Sequence, residues 1–559
     1  MLTPSRRCAF VILLAVLVLG SHQAFAGDET GPVRELRGGL SALDWTVVVL
    51  YAAGMLAVGF YYARRTKTSE DYFLGGRTMR PSMVGLSLFA TLLSTISYLS
   101  TPGEMIKHGP VVLAGILAVP VIYLAAGYLM IPYIMKLRIT SAYEILDTRL
   151  GRPVRVFGSV IFILIRLVWM GLVVYLSARI VVQAIGLDER HVITAVFILG
   201  AVTVVYSAMG GLRAVVLTDV IQTIILFVGA IVAIVIVSAR MGGVGWFPTE
   251  WAANWDRQPL FSFDPRVRAT VLGAMINFTI WWLCTAGSDQ MAIQRYLATR
   301  DAKAARGAFL MNHVAGIAVQ VVLALLGFAL LGFFTANPQY LSENVNFGEK
   351  ADYLFPYFVV NFMGFGMAGL VMSGMLAAAM SSLSSGVNSV CTVVDKDIVE
   401  RFLSASLSEK AKIRMAKWTS AGVGAVVVAL GLVVGKVPGN LVEVTSKTNG
   451  LFVAPLFGLF FFAMFVPFAT PYGAVFGSLY GFLAAFLVGF WDFAGGPALS
   501  FQWILAVSIV VNIVAGCALS LAPWRGRSGI YKVAMSVLAA IPFTGIWVWY
   551  VLACLKAAG

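Results

Sequence analysis

The sequence predicts an all-α integral membrane protein, and three observations carry that prediction. The 559 residues are 60% hydrophobic and only 12% charged, whereas soluble domains hold roughly a quarter charged and under half apolar residues. Mean hydropathy is +0.88. Apolar runs long enough to cross about 30 Å of hydrocarbon follow one another almost without interruption. A water-soluble globular enzyme, a disordered chain and a disulfide-stapled secreted module are thereby excluded.

The N-terminus reads MLTPSRR, then CAFVILLAVLVLG, then SHQAFA with Ala24-Phe25-Ala26 before Gly27. A short basic region, an apolar core and an A-x-A pattern are the build of a secretory signal peptide over residues 1–26. Cleavage would leave 27–43 as an external segment; the alternative is an uncleaved extra helix. Fourteen apolar spans follow: 44–63, 80–106, 111–135, 156–185, 191–209, 214–239, 269–287, 307–335, 365–394, 415–435, 440–466, 470–491, 502–523 and 530–553.

With the N-terminus outside, the gaps expected inside hold Arg64, Arg65, Lys67, Lys136, Arg138, Arg213, Arg295, Arg300, Lys410 and Lys412. The gaps expected outside hold GWFPTEWAANWDRQP and NPQYLSENVNFGEKAD, with few basic residues. This agrees with the tendency of Lys and Arg to stay cytoplasmic. The net charge of +14 therefore reads as a cell-membrane protein's inner face meeting anionic lipid, not as a nucleic-acid site. Loops 241–268 and 336–353 are too short for a soluble domain. Cys8, Cys284, Cys391, Cys517 and Cys554 lie in apolar runs, and the four histidines have no metal-ligand spacing. GLVVGKV (431–437) is no phosphate loop, because its spacing is wrong and no Ser or Thr follows its Lys. No cofactor is expected.

Polar residues inside spans are expensive and therefore informative. In MLAAAMSSLSSGVNSV, Ala378, Ser381 and Ser382 share a helix face, and Ser381, Ser384 and Ser385 repeat that spacing a turn on. Uncharged hydroxyls suit a desolvated alkali cation; the alternative is small residues allowing close helix packing. Span 80–106 is dense in Ser and Thr and contains few strong helix formers in its middle. A break there would free carbonyls for an ion; the alternative is an ordinary Ser/Thr-lined interface. Asp219 lies in span 214–239, with Gln222 on the same face. Arg166 sits midway through an otherwise apolar segment and needs an anion, from the protein or from a solute.

Six strings resemble the sodium:solute symporter family: EDYFLGGRTM (70–79), ITSAYEIL (139–146), YSAMGGLRAVVLTDVIQ (206–222), SDQMAIQRYLATR (288–300), MSSLSSGVNSVCTVVDKDI (380–398) and NGLFVAPLFGLF (449–460). They occur in family order, and three look closest to the iodide/monocarboxylate/multivitamin branch and to bacterial sialate symporters. The resemblance implies a LeuT-type fold of two inverted five-helix repeats, over 80–239 and 269–466, with peripheral helices at 44–63 and 470–553. It implies a Na⁺ site at Ala90, Leu93, Ala378, Ser381 and Ser382. It implies a second at Ser381, Ser384, Ser385 and Asp219, with Gln222 adjacent. Sugar-transporting members place Asn and another polar residue where this chain has Leu92 and Ser97. Sialate symporters place an Arg on the helix that holds Arg166. With Thr91, Ser94 and Ser97 nearby, a small organic anion is the expected solute.

The expected function is Na⁺-coupled symport of a carboxylate of sialate or monocarboxylate type, by alternating access with two Na⁺. Symport of a neutral sugar or polyol is the alternative. A membrane sensor is disfavoured because the last span ends near the C-terminus. No nucleophile–base arrangement suggests an enzyme. Oligomeric state is not legible.

Overall fold

The computed structural model describes residues 39–342, 346–399, 408–433, 441–522 and 528–558. The expected signal peptide lies outside them. The principal helices are α1 (Ala42–Ala63), α2 (Pro81–Leu92), α3 (Thr95–Lys107), α4 (Arg152–Ala184) and α5 (His191–Arg240). Then come α6 (Val271–Ser288), α7 (Gln290–Leu297), α8 (Ala302–Ala336), α9 (Met367–Val393) and α10 (Glu409–Val433). α11 (Leu441–Phe465), α12 (Pro471–Gly489), α13 (Trp503–Ser520) and α14 (Gly529–Ala558) follow, and Pro110–Lys136, between α3 and α4, is a further span made of short helical segments. Among the described residues, 11 helices are long and apolar enough to cross a membrane, and a bent pair makes 12.

The bent pair is α2 and α3, which meet at 69°. Pro81 opens α2, where its missing N–H costs nothing. Leu93 (φ −87°, ψ 107°) then turns extended. Ser94 (φ −92°, ψ 167°) is extended too and caps α3 through its side chain. The Ser/Thr-rich middle of span 80–106 thus breaks as the sequence suggests.

Two further interruptions occur, the first in the gap between two expected spans and the second not legible. α5 runs through both expected spans 191–209 and 214–239 and is broken inside at Gly211 (φ 62°, ψ −164°). A Cβ there would lie 2.7 Å from the Tyr72 carbonyl oxygen, so both conformation and space demand glycine. The segment after span 269–287, expected as an internal loop, is instead the short helix α7. It follows an extended Asp289 (φ −82°, ψ 120°), whose carboxylate caps it by accepting from the Met291 N–H. Every residue of α7 is buried. Arg295, counted among cytoplasmic loop residues from the sequence, is therefore a core residue: it is 0% exposed. Asp301 caps α8 by accepting from the Ala304 N–H at 2.7 Å, which holds its carboxyl below the usual range.

α9 is the central helix. Of its apolar window 94% is buried, against 11% for α14. Its Ala, Ser and Gly residues let α5 and α2 approach closely. Its N-terminus is tied to α1 by Asp44, which accepts from the Gly366 and Gly369 amides at 2.7 and 2.8 Å. Asp44 is 1% exposed. Asp44→Ala should leave both amides unpartnered and lower stability by about 2–4 kcal/mol, read as a fall in melting temperature in detergent.

A candidate ion and solute site at two helix breaks

At the first break, α9 meets the carbonyls that the broken helix frees. The Ser381 hydroxyl donates to Ala90 O at 2.9 Å and lies 3.1 Å from Ala378 O. The Ser382 hydroxyl lies 3.1 Å from Thr91 O and 3.3 Å from Leu93 O. Ser381 thus joins Ala90 and Ala378, and Ser382 joins Thr91 and Leu93, so hydroxyl and carbonyl oxygens of both helices gather at the break. Carbonyls left without helical donors need partners, and hydroxyls that reach them are also positioned to share an alkali cation.

One turn further along α9 lies a second polar cluster. Asp219 accepts from Ser87 Oγ at 2.6 Å and from Ser385 Oγ at 3.4 Å. The Arg295 guanidinium is 3.6 Å from the same Asp219 Oδ2 and donates to Ser385 Oγ. Asp219 and Arg295 are both 0% exposed. The other carboxylate oxygen, Oδ1, is buried without a partner. Ser384 contributes its hydroxyl to Ser381 O at 3.1 Å, and its own carbonyl accepts from Ser207 at 3.0 Å. Gln222 does not join this group. Its amide donates to Tyr51 OH at 2.8 Å, because α1 packs across that face of α5.

A cavity of about 300 Å³ begins at the first break and runs along α3. Leu92, Leu93, Ser94, Ser97, Thr101 and Glu104 line it from α2 and α3. Arg166 and Trp169 of α4, Phe278, Trp281 and Trp282 of α6 and His313 of α8 form the rest of its wall. Near the end of α3, Glu104 is gripped by both Arg268 nitrogens, at 2.7 and 3.0 Å. α7 is held among its neighbours by buried polar side chains. The Gln294 amide donates to Phe73 O at 2.7 Å and Asn388 Oδ1 at 2.8 Å, and accepts from Ser389 at 2.9 Å. Gln290 accepts from the Ala142 amide at 2.7 Å.

Arg166, Ser94 and Ser97 thus meet in the cavity. Thr91 does not line it; its hydroxyl donates to Ser385 at 2.9 Å, between the two polar clusters. Arg166 pairs with Asp289 at the second break, and its guanidinium lies over Trp169 and Phe162. Its Nε is buried with no partner.

Sequence reasoning missed Asp289, Gln294 and Arg295. The signal was present in SDQMAIQR: an Asp followed by a helix-forming run is an N-cap pattern.

The profile of the sodium:solute symporter family matches residues 72–481. The chain belongs to the sodium:solute symporter family. It is a sodium-coupled solute transporter and not an enzyme. It is 30% identical to the sodium/sialic acid symporter NanT of Aliivibrio fischeri over 443 residues, covering 76% of this chain and 83% of that protein. It is 29% identical to sodium-coupled monocarboxylate transporter 1 of Xenopus laevis over 438 residues, covering 77% and 69%. The fold is similar to that of a substrate-bound, outward-open Na⁺-coupled sialic acid symporter. The TM-score is 0.74 at 27% identity, with 87% of this chain and 98% of that one covered.

Proposed function

We propose that this symporter carries a small organic carboxylate into the cell together with two Na⁺ by alternating access. The observation that carries this reading is a coincidence of position. The solute cavity starts at the same break where Ser381 and Ser382 reach the freed carbonyls of Ala90, Thr91 and Leu93. An ion placed there fixes the angle between α2 and α3, and α3 lines the cavity. Ion occupancy and cavity shape are then one variable, which is what coupling requires.

The first Na⁺ is assigned to Ala90, Leu93, Ala378, Ser381 and Ser382. The second is assigned to Asp219, Ser381, Ser384 and Ser385. Its strongest support is Asp219 Oδ1, a carboxyl oxygen buried without a partner. Arg295 shares the opposite oxygen and offsets the carboxylate before the ion arrives. Arg166 is the anchor for the solute carboxylate, with Ser94 and Ser97 beside it; its unpartnered Nε–H supports this.

The same reading places the N-terminus outside, residues 1–26 as a cleaved signal peptide and the basic gaps in the cytoplasm. The cavity then faces outward, and α7 lies on the inner side. Counting α5 as two spans at Gly211 and α11 as one brings the total to fourteen. Residues 80–239 and 269–466 are read as the inverted repeats, each with its first helix broken, at Leu93–Ser94 and at Asp289.

A thermal-shift screen of carboxylates and neutral sugars, each with and without Na⁺, tests the solute class. A carboxylate at 100 times its Kd should add about 2.7 kcal/mol to stability, and only when Na⁺ is present. Sugars that stabilise while carboxylates do not would overturn the reading.

A further inference from the structure

The two broken helices are tied to each other at the ends away from their breaks. α3 starts at the first break, and Glu104 lies near its far end, about 15 Å along the helix from Ser94. α6 ends at the second break, and Arg268 lies just ahead of Thr270, which caps its start. Both helices line the cavity, with Ser97 and Thr101 from α3 and Asn277 and Trp281 from α6. They do not pack along one another. The Arg268 guanidinium nevertheless reaches the Glu104 carboxylate with two parallel bonds, of 2.7 and 3.0 Å. Their side chains are only 15% and 2% exposed. A second contact backs this one. His108, which caps the end of α3, has its Nδ1 3.0 Å from both carboxylate oxygens of Asp256, and Asp256 Oδ2 is 3.7 Å from Arg268.

A bidentate guanidinium–carboxylate pair fixes distance and orientation together. A second route between the helices is apolar: the Pro110–Ala118 segment that follows α3 packs on α6, with Gly115 against Phe278. Apolar burial is non-directional, so it permits sliding that the ion pair resists. The position of α3 sets the first break, where Ser382 meets Thr91 and Leu93. The position of α6 sets Asp289, which holds Arg166. We infer that Glu104 and Arg268 are positioning residues for symport. Their pair makes α3 and α6 move as one body, so that Na⁺ bound at the first break is felt on the helix that leads to the carboxylate anchor. This rests on the ion assignment above.

The test places a reporter cysteine on one helix or the other, Thr101→Cys on α3 or Asn277→Cys on α6, both half-buried and lining the cavity. Each full-length chain is purified in detergent. Its rate of reaction with a small charged methanethiosulfonate is read in Na⁺ and in K⁺, against the chain without the added cysteine. With the pair intact, Na⁺ should raise the rate at both reporters by roughly fivefold or more, the lower range of ordinary coupling between sites. With Glu104→Gln or Arg268→Gln, the α3 reporter should keep its Na⁺ response and the α6 reporter should lose it. The charge swap Glu104→Arg/Arg268→Glu should restore that response, which a merely structural role does not require. An α6 reporter that responds to Na⁺ equally with and without the pair would overturn the inference. So would an α6 reporter that ignores Na⁺ with the pair intact while the α3 reporter responds, and the ion assignment would then stand. If Na⁺ moves neither reporter with the pair intact, the ion assignment fails, and this inference fails with it. Should the Gln variants lose both responses, their ion site is lost and Arg268→Lys decides. It keeps the charge and gives up the fork, so its α6 response should drop while its α3 response stays, and an undiminished α6 response would overturn the inference.

Discussion

Ser382→Ala should abolish most Na⁺ activation of transport. The hydroxyl spans two carbonyls of the broken helix, at 3.1 and 3.3 Å. Under the proposed assignment its removal takes away one ion ligand and also loosens the break. Hydrogen bonds and ligands to charged groups contribute about 1.5–3 kcal/mol, so half-activation by Na⁺ should move up by roughly tenfold to a hundredfold. The fold itself should lose only about 1 kcal/mol, since a neutral bond is removed and no volume is added. Initial uptake rates against Na⁺ concentration, with melting temperature as the control, check this. An unchanged Na⁺ dependence would move the coupling ion elsewhere.

The second large effect concerns Arg166 and Asp289. Each is largely buried, with side chains 11% and 5% exposed. Arg166→Ala leaves a buried carboxylate unpaired, and breaking such a pair costs about 3–5 kcal/mol. Melting temperature should fall with or without solute. Asp289→Asn alone strands the guanidinium, but Asn retains the oxygen that caps α7. The double variant Arg166→Ala/Asp289→Asn carries no unpaired charge and should recover much of the stability lost by Arg166→Ala. It should still fail to bind carboxylates. A double variant that melts like the wild type and binds a carboxylate normally would make Arg166 a structural residue and nothing more.

How far the sequence reaches is visible at these same residues. The first break was legible because its signals are local: Ser94 is a strong helix cap, and the stretch around it contains few strong helix formers. The two patches on α9 were legible because helical spacing alone places Ser381, Ser382, Ser384 and Ser385 on adjoining turns. Partner choice was not legible. Periodicity put Gln222 beside Asp219 on the same face, yet it could not say that α1 would cover that face and take the amide with Tyr51. Asp289 and Arg166 are 123 residues apart. Arg295 was read as a loop cation because the apolar count ends just before α7, a helix too short and too polar to register as part of a span. Its burial follows from the packing of α7 against α2 and α9. Charge alone assigns a residue to water unless its counterion is known, and Asp219 is that counterion.

The two-ion assignment is most directly tested by the solute accumulation that proteoliposomes sustain under a fixed Na⁺ gradient and membrane potential. With a tenfold gradient and 100 mV, each Na⁺ supplies about 3.7 kcal/mol, roughly 1.4 chemical and 2.3 electrical. Two Na⁺ with a monovalent anion move one net charge and leave about 5.1 kcal/mol, enough for about 5,000-fold accumulation. One Na⁺ with the same anion moves no net charge and supports only about tenfold. The wild type should hold the larger gradient and respond to the potential, while Asp219→Asn should fall to the smaller one or stop transporting. Wild-type accumulation of about tenfold that is indifferent to membrane potential would contradict a second Na⁺ at Asp219.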